Sequence, residues 1–403
     1  MLSPVRYGII GAGRMAETTA LQLMDGHPAA AVTAFYEIDP RYPQTARRLA
    51  RLRRRLIRSC GSFQRLLDRA DVDVILNCTP HFAHAETSVA ALQAGRIVVC
   101  EKPPACSGEE CQAMIDASRS AAGGVSPPAA EAFGEDGPLL VHFQHLLRPG
   151  ARWLAGILSG GELGAVRRVR CLSLWWRNAD YYHRVAWAGR RVYQGRAALD
   201  GAMVNQTIHY VNQMLALADR SGEASVAPVA NLRAELFRFN APEDLEMEDT
   251  AVVAGTLANA DRSEFVFCGT SCAEGSAGAT RAGEYGGRTL RHEIVLECER
   301  GRARWWGTAE VIFDDGRVLR YDQPEGHWPF YFHVQQVLAG LEKPVTPIRQ
   351  SARTMDFIFA AYAAAGDIRQ VRRECLPQVE PTLGECFHRA CLPSELDSPP
   401  DWA

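Results

Sequence analysis

An α/β protein of two domains is what this 403-residue sequence predicts, and three observations predict it. Apolar runs of strand length alternate with helical patterns up to about residue 122, the pattern of a doubly wound parallel sheet. Beyond about residue 136, strand-like runs cluster with few helical patterns between them, which implies a large open, mostly antiparallel sheet. The length exceeds what one hydrophobic core usually organises, and an apolar content of 47% allows both cores to pack well. The expected division is residues 1–135 and residues 136–403.

The first strand is the apolar run Val5 to Ile10. It leads into the glycine-rich turn Gly11-Ala12-Gly13-Arg14-Met15-Ala16 and a helical pattern of Met15, Ala20, Leu21 and Leu23. Strand, turn and helix in that order are what a dinucleotide pyrophosphate requires. Gly11 reverses the chain, Gly13 lets the backbone approach the phosphates, and Ala16 keeps the helix close to the strand. The helix start then turns free N–H groups towards the anion. The second strand, Val32 to Tyr36, ends at Glu37, about twenty residues past the turn, where an acid binds the adenosine ribose hydroxyls. A carboxylate there repels a 2′-phosphate, which favours NAD over NADP, with Arg14 and Arg41 close by as opposing charges. The plainer alternatives are a tight turn with no ligand and a solvated strand end at Glu37.

Arg47 to Arg58 is dense in arginine, but a net charge of −3 argues against a nucleic-acid partner. The stretch reads as the wet face of a helix with Leu49, Leu52, Leu56 and Ile57 turned inward. Val72 to Asn77 follows as a strand, His84 to Ala94 as a helix and Ile97 to Cys100 as another strand, and Ser107 with Glu110 makes a capping box for one more helix. Residues 122–137, rich in Gly, Ala, Pro and acidic residues, read as a mobile loop near the domain boundary. Beyond it, Leu139 to Phe143, Val166 to Leu174, Thr250 to Leu257, Glu264 to Cys268, Glu293 to Cys298 and Arg317 to Arg320 read as the strands of the second domain. Ala273 to Arg288, dense in glycine, reads as an exposed loop.

The twelve cysteines are scattered without a C-x-x-C pair, so they read as reduced buried thiols such as Cys78 and Cys100, with neither zinc site nor disulfide framework. No apolar run reaches the roughly eighteen residues of a membrane span and no signal-like segment opens the chain, so a cytoplasmic location away from membranes is expected.

The glycine turn, Thr79-Pro80 with His84, Glu101-Lys102-Pro103, the strand start Glu248-Asp249-Thr250 and the helical pattern around Ser351 to Tyr362 together resemble the glucose-fructose oxidoreductase and inositol dehydrogenase (Gfo/Idh/MocA) family, from about residue 5 to residue 370. The resemblance implies a Rossmann domain followed by an α/β domain whose open sheet carries a substrate site on one face and often an oligomer contact on the other. It implies a nicotinamide cofactor, a sugar, cyclitol or nucleotide-sugar substrate oxidised or reduced at a ring secondary carbon, and a homodimer or homotetramer. It also implies cofactor contacts at Gly11, Gly13, Arg14, Met15, Glu37, Thr79, Pro80, His84, Glu101 and Lys102, with Lys102 at the reacting hydroxyl. The chemistry independently asks for such a group: removing hydride from a carbinol carbon requires the hydroxyl proton to leave, and a lysine in a tight pocket can be tuned to take it. Taken alone, Lys102 would read as a surface lysine.

Asn205-Gln206-Thr207-Ile208-His209 supplies the second catalytic candidate. A spacing of four places Asn205 and His209 on one face of a helix, one turn apart. In many members of the family an aspartate and a histidine hold these positions. Asn205 cannot act as a base, which leaves proton handling to His209 and Lys102, with Asn205 and Gln206 as substrate contacts. A histidine satisfied within the core is the commoner fate for a lone helical histidine.

The Asn-Gln form, with Asp180-Tyr181-Tyr182, Trp187 and Gly189 upstream, resembles the branch acting at C3 of sugars, although that branch's triple glycine is Gly201-Ala202-Met203 here and its following glycine is Thr207. Gln144, His145 and Arg148 face either the substrate or solvent, and His81 and His84 are each a cofactor-side residue, a helix cap or a surface residue. Trp175, Trp176, Arg177, Tyr181, Tyr182 and Trp187 suit stacking on sugar C–H faces or binding an anion, and equally a packed sheet edge. Two rival readings stand beside the oxidoreductase: an NAD-dependent glycosidase or lyase that recycles its cofactor, and a non-catalytic sugar or nucleotide sensor.

Overall fold

The structure, a computed structural model, describes residues 2–20, 24, 26–39, 43–54, 57–177, 179–219, 228–239, 245–271, 288–322 and 329–370. The chain divides into two compact units, Met1–Arg148 with Gly326–Met355, and Pro149–Glu325 with Asp356–Ala403.

In the first unit β1 (Val5–Ile10), β2 (Ala30–Tyr36), β3 (Arg58–Ser59), β4 (Val74–Asn77), β5 (Ile97–Cys100) and β6 (Leu139–Val141) form one sheet in the order β3-β2-β1-β4-β5-β6. Every neighbouring pair is parallel. Helices α1 (Arg14–Thr18), α2 (Pro43–Arg54), α3 (Phe63–Leu67), α4 (His84–Gln93), α5 (Gly108–Ala121) and α6 (Pro127–Phe133) lie between the strands in sequence. This is the doubly wound order whose switch point falls between β1 and β4, and ligands of such sheets bind at the carboxyl ends of the strands there. The continuous apolar runs are explained by burial: Tyr7, Ile9, Val74, Leu76 and Val99 are fully enclosed.

The arginine-rich helix behaves as its pattern demands. Leu49 and Leu52 of α2 and the following Ile57 are buried, while Arg48 and Arg51 reach Glu17 of α1. Ser107 caps α5 by accepting from the Glu110 N–H at 3.2 Å. Glu110 returns its carboxylate one residue earlier than a capping box would, to the Cys106 N–H at 2.8 Å.

Two expectations fail in this unit. Residues 122–137 do not form a structureless loop, because they contain α6, which starts on Pro127 and buries Ala129, Ala132 and Phe133. Small alanines made that apolar face look like linker composition. The strand expected to open the second domain, β6, instead completes the first sheet. It pairs in parallel with β5 through Val98↔Leu139, Val99↔Leu140 and Cys100↔Val141.

The second unit is built on a nine-stranded sheet. After α7 (Pro149–Ser159) come β7 (Val166–Trp176), α8 (Ala179–Tyr182), the hairpin β8 (Val192–Tyr193) and β9 (Arg196–Ala197), α9 (Ala202–Asn205) and α10 (Ile208–Ala218). Strands β10 (Val229–Arg238), β11 (Thr250–Leu257), β12 (Glu264–Thr270), β13 (Arg288–Cys298), β14 (Gly301–Trp305), β15 (Ala309–Phe313) and β16 (Val318–Tyr321) follow. Then come α11 (Pro329–Leu338), which belongs to the first unit, α12 (Ile348–Ala365) and β17 (Ile368–Gln370). The order is β16-β15-β14-β13-β7-β12-β11-β10-β17, with β7–β12 and β10–β17 parallel and the rest antiparallel. Strands β10, β14, β15 and β17 went unread in the sequence. In β14 the alternation Arg302, Ala303, Arg304, Trp305 buries only every second side chain, which dilutes the apolar signal.

Leu21, Leu23, Arg41, Leu56, the Trp176 side chain and residues 273–287 lie outside the described residues, and Arg288 opens β13. The described cysteines form no disulfide with one another, and Cys78 and Cys100 are buried. No helix among the described residues is long and apolar enough to cross a membrane. No group of three or more His, Cys, Asp or Glu among them could hold a metal ion.

Candidate functional site

The carboxyl ends of β1, β2, β4 and β5 bring the cofactor candidates of the first unit together. Gly11 follows β1 with φ +85°, and a Cβ on it would meet the Cys78 carbonyl and the Thr79 nitrogen at 2.8 Å. Only glycine fits, because the turn is pressed against backbone that cannot move aside. Its N–H donates to the Tyr36 carbonyl at 2.9 Å, and the Cys78 N–H donates to the Ile10 carbonyl at 2.8 Å. Gly13 is the opposite case: a Cβ there would meet nothing within 4 Å. Its missing side chain serves no internal packing and leaves open backbone, which fits the close approach of a pyrophosphate. Ala16 is fully buried, while Arg14 and Met15 are exposed at the same turn.

Glu37 stands at the end of β2 and accepts two backbone N–H groups, from Ala12 at 2.7 Å and from Asp39 at 2.9 Å. The carboxylate is thereby fixed beside the glycine turn. Beyond β4, Asn77 organises the next loop: its amide donates to the His84 carbonyl and the Ser88 hydroxyl, both at 3.0 Å, and its carbonyl accepts from the Thr79 hydroxyl at 2.7 Å. Pro80, half-buried, follows at the tip and His81 is buried behind it.

His84 and Glu101 are internal. His84 is 1% exposed, with Nδ1 2.6 Å from the Pro103 carbonyl and Nε2 2.7 Å from the Thr79 carbonyl. One ring thus ties the Thr79-Pro80 loop to the turn carrying Lys102. Burial lowers its pKa, against the two carbonyls and Glu101, which favour the charged ring. Glu101 pairs with His142 at 2.7 Å, both buried. Burial would raise the Glu101 carboxyl, but the charge and hydrogen bond of His142, aided by Lys102 and His84, outweigh it and hold it below the ordinary value. Lys102, half-buried, therefore stands between two anchored neighbours, and its peptide bond to Pro103 is cis. His142 was not anticipated; it stands 41 residues from Glu101 in sequence, a separation with no spacing rule to reveal it.

His145 also belongs to the first unit, its Nε2 3.2 Å from an Arg148 guanidinium nitrogen. The remaining substrate candidates lie in the second unit. Arg177 follows β7 with its guanidinium 4.5 Å from the Tyr181 ring centre and 5.2 Å from that of Trp175. Tyr182 packs edge-on against Tyr181 at 5.4 Å.

Asp200 is the hub of this region. Its fully buried carboxylate accepts from the Asn205 amide at 2.5 Å, the Gly189 N–H at 3.0 Å and Arg184 at 3.2 Å. Arg184 in turn lies 3.8 Å over the Tyr181 ring. Asp200 was not anticipated from the sequence, where it only flanks the Asn-Gln segment. Its place five residues before Asn205 and directly before a glycine was the available signal.

Asn205 and His209 do not share one continuous helix, contrary to expectation. Helix α9 ends at Asn205 and α10 begins at Ile208, with His209 buried in its first turn. The cause is Thr207, whose N–H and hydroxyl both go to the Ala202 carbonyl, at 3.2 and 3.0 Å. The Thr207 N–H thus reaches five residues back instead of four, to the same carbonyl that the Gln206 N–H already uses, and the regular ladder stops there. Gln206 is half-buried at the break.

Behind α9 lies Glu248, 1% exposed, whose Oε1 accepts from the Met203 N–H and the Tyr362 hydroxyl, both at 3.0 Å. Burial raises its carboxyl to about 7. A folded-state pKa raised above the ordinary 4.5 means that its contribution to stability is full below pH 4.5 and is lost as pH climbs through about 7. Glu248→Gln cannot titrate, so its stability relative to wild type should rise by up to about 3 kcal/mol between pH 5 and pH 8. Urea denaturation of both proteins at the two pH values measures this, and parallel pH dependences would refute it.

Residues 5–126 match the family described as an oxidoreductase family with an NAD-binding Rossmann fold, and residues 152–304 match the GFO/IDH/MocA C-terminal domain. Levoglucosan dehydrogenase of Pseudarthrobacter phenanthrenivorans is 28% identical over 199 residues, 48% of this chain and 47% of that one. The dTDP-3,4-didehydro-2,6-dideoxy-α-D-glucose 3-reductase of Actinomadura kijaniata is 29% identical over 170 residues, 41% of this chain and 44% of that one. These matches therefore span about half the length of either curated relative. The WlbA dehydrogenase of Chromobacterium violaceum, solved with NADH and UDP-GlcNAcA, superposes with a TM-score of 0.66 at 21% identity, covering 90% of this chain and 94% of that one.

Proposed function

From a chain that belongs to the Gfo/Idh/MocA oxidoreductase family and carries its NAD-binding Rossmann domain, we propose an NAD(H)-dependent enzyme that interconverts a ring secondary alcohol and its ketone on a sugar or nucleotide sugar. The observation that carries this reading is the first unit's turn: open backbone at Gly13, a carboxylate fixed beside it, and Lys102 on a loop braced by His84. Gly11, Gly13 and Glu37 would hold the dinucleotide, and the bound nicotinamide would supply the hydride acceptor or donor. In the oxidising direction the Lys102 amine takes the hydroxyl proton; in the reducing direction its ammonium returns it. His209 is the second proton-handling candidate, and Asn205, Gln206, Arg177, Tyr182 and His145 are the proposed substrate contacts. The reductase relative's name supports action at C3, and the UDP-GlcNAcA of the WlbA structure supports a nucleotide-linked substrate. A homodimer or homotetramer goes with the same reading.

The test incubates the protein with NAD⁺, and separately with NADH, against free, phosphorylated and nucleotide-linked sugars, following nicotinamide absorbance and product mass. Stoichiometric cofactor change with a sugar product is expected. Product without net cofactor change would replace this reading with a redox-assisted glycosidase or lyase. Tight cofactor binding with no turnover would replace it with a sensor.

A further inference from the structure

Helix α9 lacks the part that usually starts a helix. Its N-cap is Gly201, which has no side chain to accept from the first-turn N–H groups. The acceptor comes instead from 45 residues away, where the Glu248 carboxylate takes the Met203 N–H and the Glu248 carbonyl takes the Ala202 N–H at 2.9 Å. Glycine is required at 201 for this reason: a Cβ there would meet the two Glu248 carboxyl oxygens at 2.2 and 2.4 Å. On its far side the carboxyl is held by Tyr362 of α12. Its second oxygen, Oε2, is buried with no hydrogen-bond partner among the described residues. An acid in so dry a place with an unsatisfied oxygen costs stability. The packing, however, gives it a mechanical task.

We propose that Glu248 is a positioning residue that pins α9, and through α9 holds Asn205 against Asp200 in the geometry that receives substrate. The assignment rests on the functional reading above for the role of Asn205, but its mechanical part does not. Asn205 has one arm tied to Asp200 and its backbone N–H donating to the Gly201 carbonyl at 2.9 Å. If the Glu248 carboxylate is removed, Gly201 has nothing to seat against and the Met203 N–H loses its acceptor, leaving the four-residue helix with only the Glu248 carbonyl on the Ala202 N–H. The charged and titratable groups around the anchor are few. Asp249 precedes β11 but is turned to the Phe239 N–H and the Thr250 hydroxyl, Tyr362 comes from α12, and Asp200 and Arg191 act on Tyr362.

Amide hydrogen exchange on the full chain without ligand tests the mechanical part. Glu248→Ala should speed exchange across residues 202–206 by about tenfold while β1 and α4 stay unchanged. Glu248→Gln, which keeps an acceptor for the Met203 N–H, should restore protection. After correction for intrinsic rates, protection in wild type should vary around neutral pH and that of Glu248→Gln should not. On a sugar identified by the panel, Glu248→Ala should raise KM at least about fivefold with NADH affinity unchanged, and Glu248→Gln should recover it. Unchanged exchange at 202–206, or loss spread evenly over the second unit, overturns the proposal. Should Glu248→Ala fail to fold, Tyr362→Phe removes only the hydroxyl and carries the same exchange expectation. A panel with no turnover defeats the functional reading alone, since the exchange measurement needs no substrate.

Discussion

Lys102→Met is expected to cut turnover by about a thousandfold, the scale of losing a positioned acid/base, while NADH affinity stays within about threefold. Methionine keeps the length and apolar stem of the side chain but cannot exchange a proton. The loop itself should survive, because its order comes from elsewhere: His84 grips the Pro103 carbonyl and Glu101 is buried against His142. The glycine turn is tied to the end of β2 without the lysine, through the Gly11 N–H on the Tyr36 carbonyl and the Ala12 N–H on the Glu37 carboxylate. Steady-state kinetics on the panel's best sugar, with NADH fluorescence titration for affinity, separates the two quantities. Turnover within about tenfold of wild type would remove Lys102 from the proton transfer and leave His209 as the candidate.

Asp200→Ala should destabilise the protein by about 3–5 kcal/mol, as expected when one partner of a buried ion pair is removed. The side chain of Asp200 is wholly enclosed and that of its partner Arg184 is only 13% exposed, so the cation would be left in a dry place without its counter-ion. The Gly189 N–H and the Asn205 amide lose their acceptor in the same stroke. Asp200→Asn keeps the shape but not the charge, and should still show a large share of the loss. Urea denaturation at pH 7 measures both variants. A loss under about 1 kcal/mol for Asp200→Ala would mean that water reaches Arg184 and that the hub is a surface feature.

The first sheet was legible because its strands are buried on both faces and its loops carry glycine, proline and charge at fixed places. Gly11, Gly13 and Glu37 could be placed in order from local pattern alone. What stayed hidden depends on partners far apart in sequence. Glu101 and His142, Met203 and Glu248, and Glu248 and Tyr362 are separated by 41, 45 and 114 residues. No periodicity connects such pairs. The strand β6 was read correctly as a strand but attributed to the wrong sheet, since Leu139–Val141 is enclosed in either setting and only its pairing with β5 decides. The helix break after Asn205 was lost for a subtler reason. Thr207 is compatible with a continuing helix until its hydroxyl is seen to back-bond to Ala202.

On the function proposed above, Glu37 couples two traits that natural selection would otherwise adjust separately. The carboxylate proposed to turn away a phosphorylated ribose also fastens the glycine turn through the Ala12 N–H. A lineage drifting to a neutral or basic residue at this position in order to accept NADP would unfasten that turn at the same moment. Cofactor preference in this chain is therefore heritable together with loop order, and a change of preference has to be preceded by a second tie for Ala12. A single substitution at position 37 that gained NADP affinity while keeping that for NAD, read by titration with each reduced cofactor, would break this linkage.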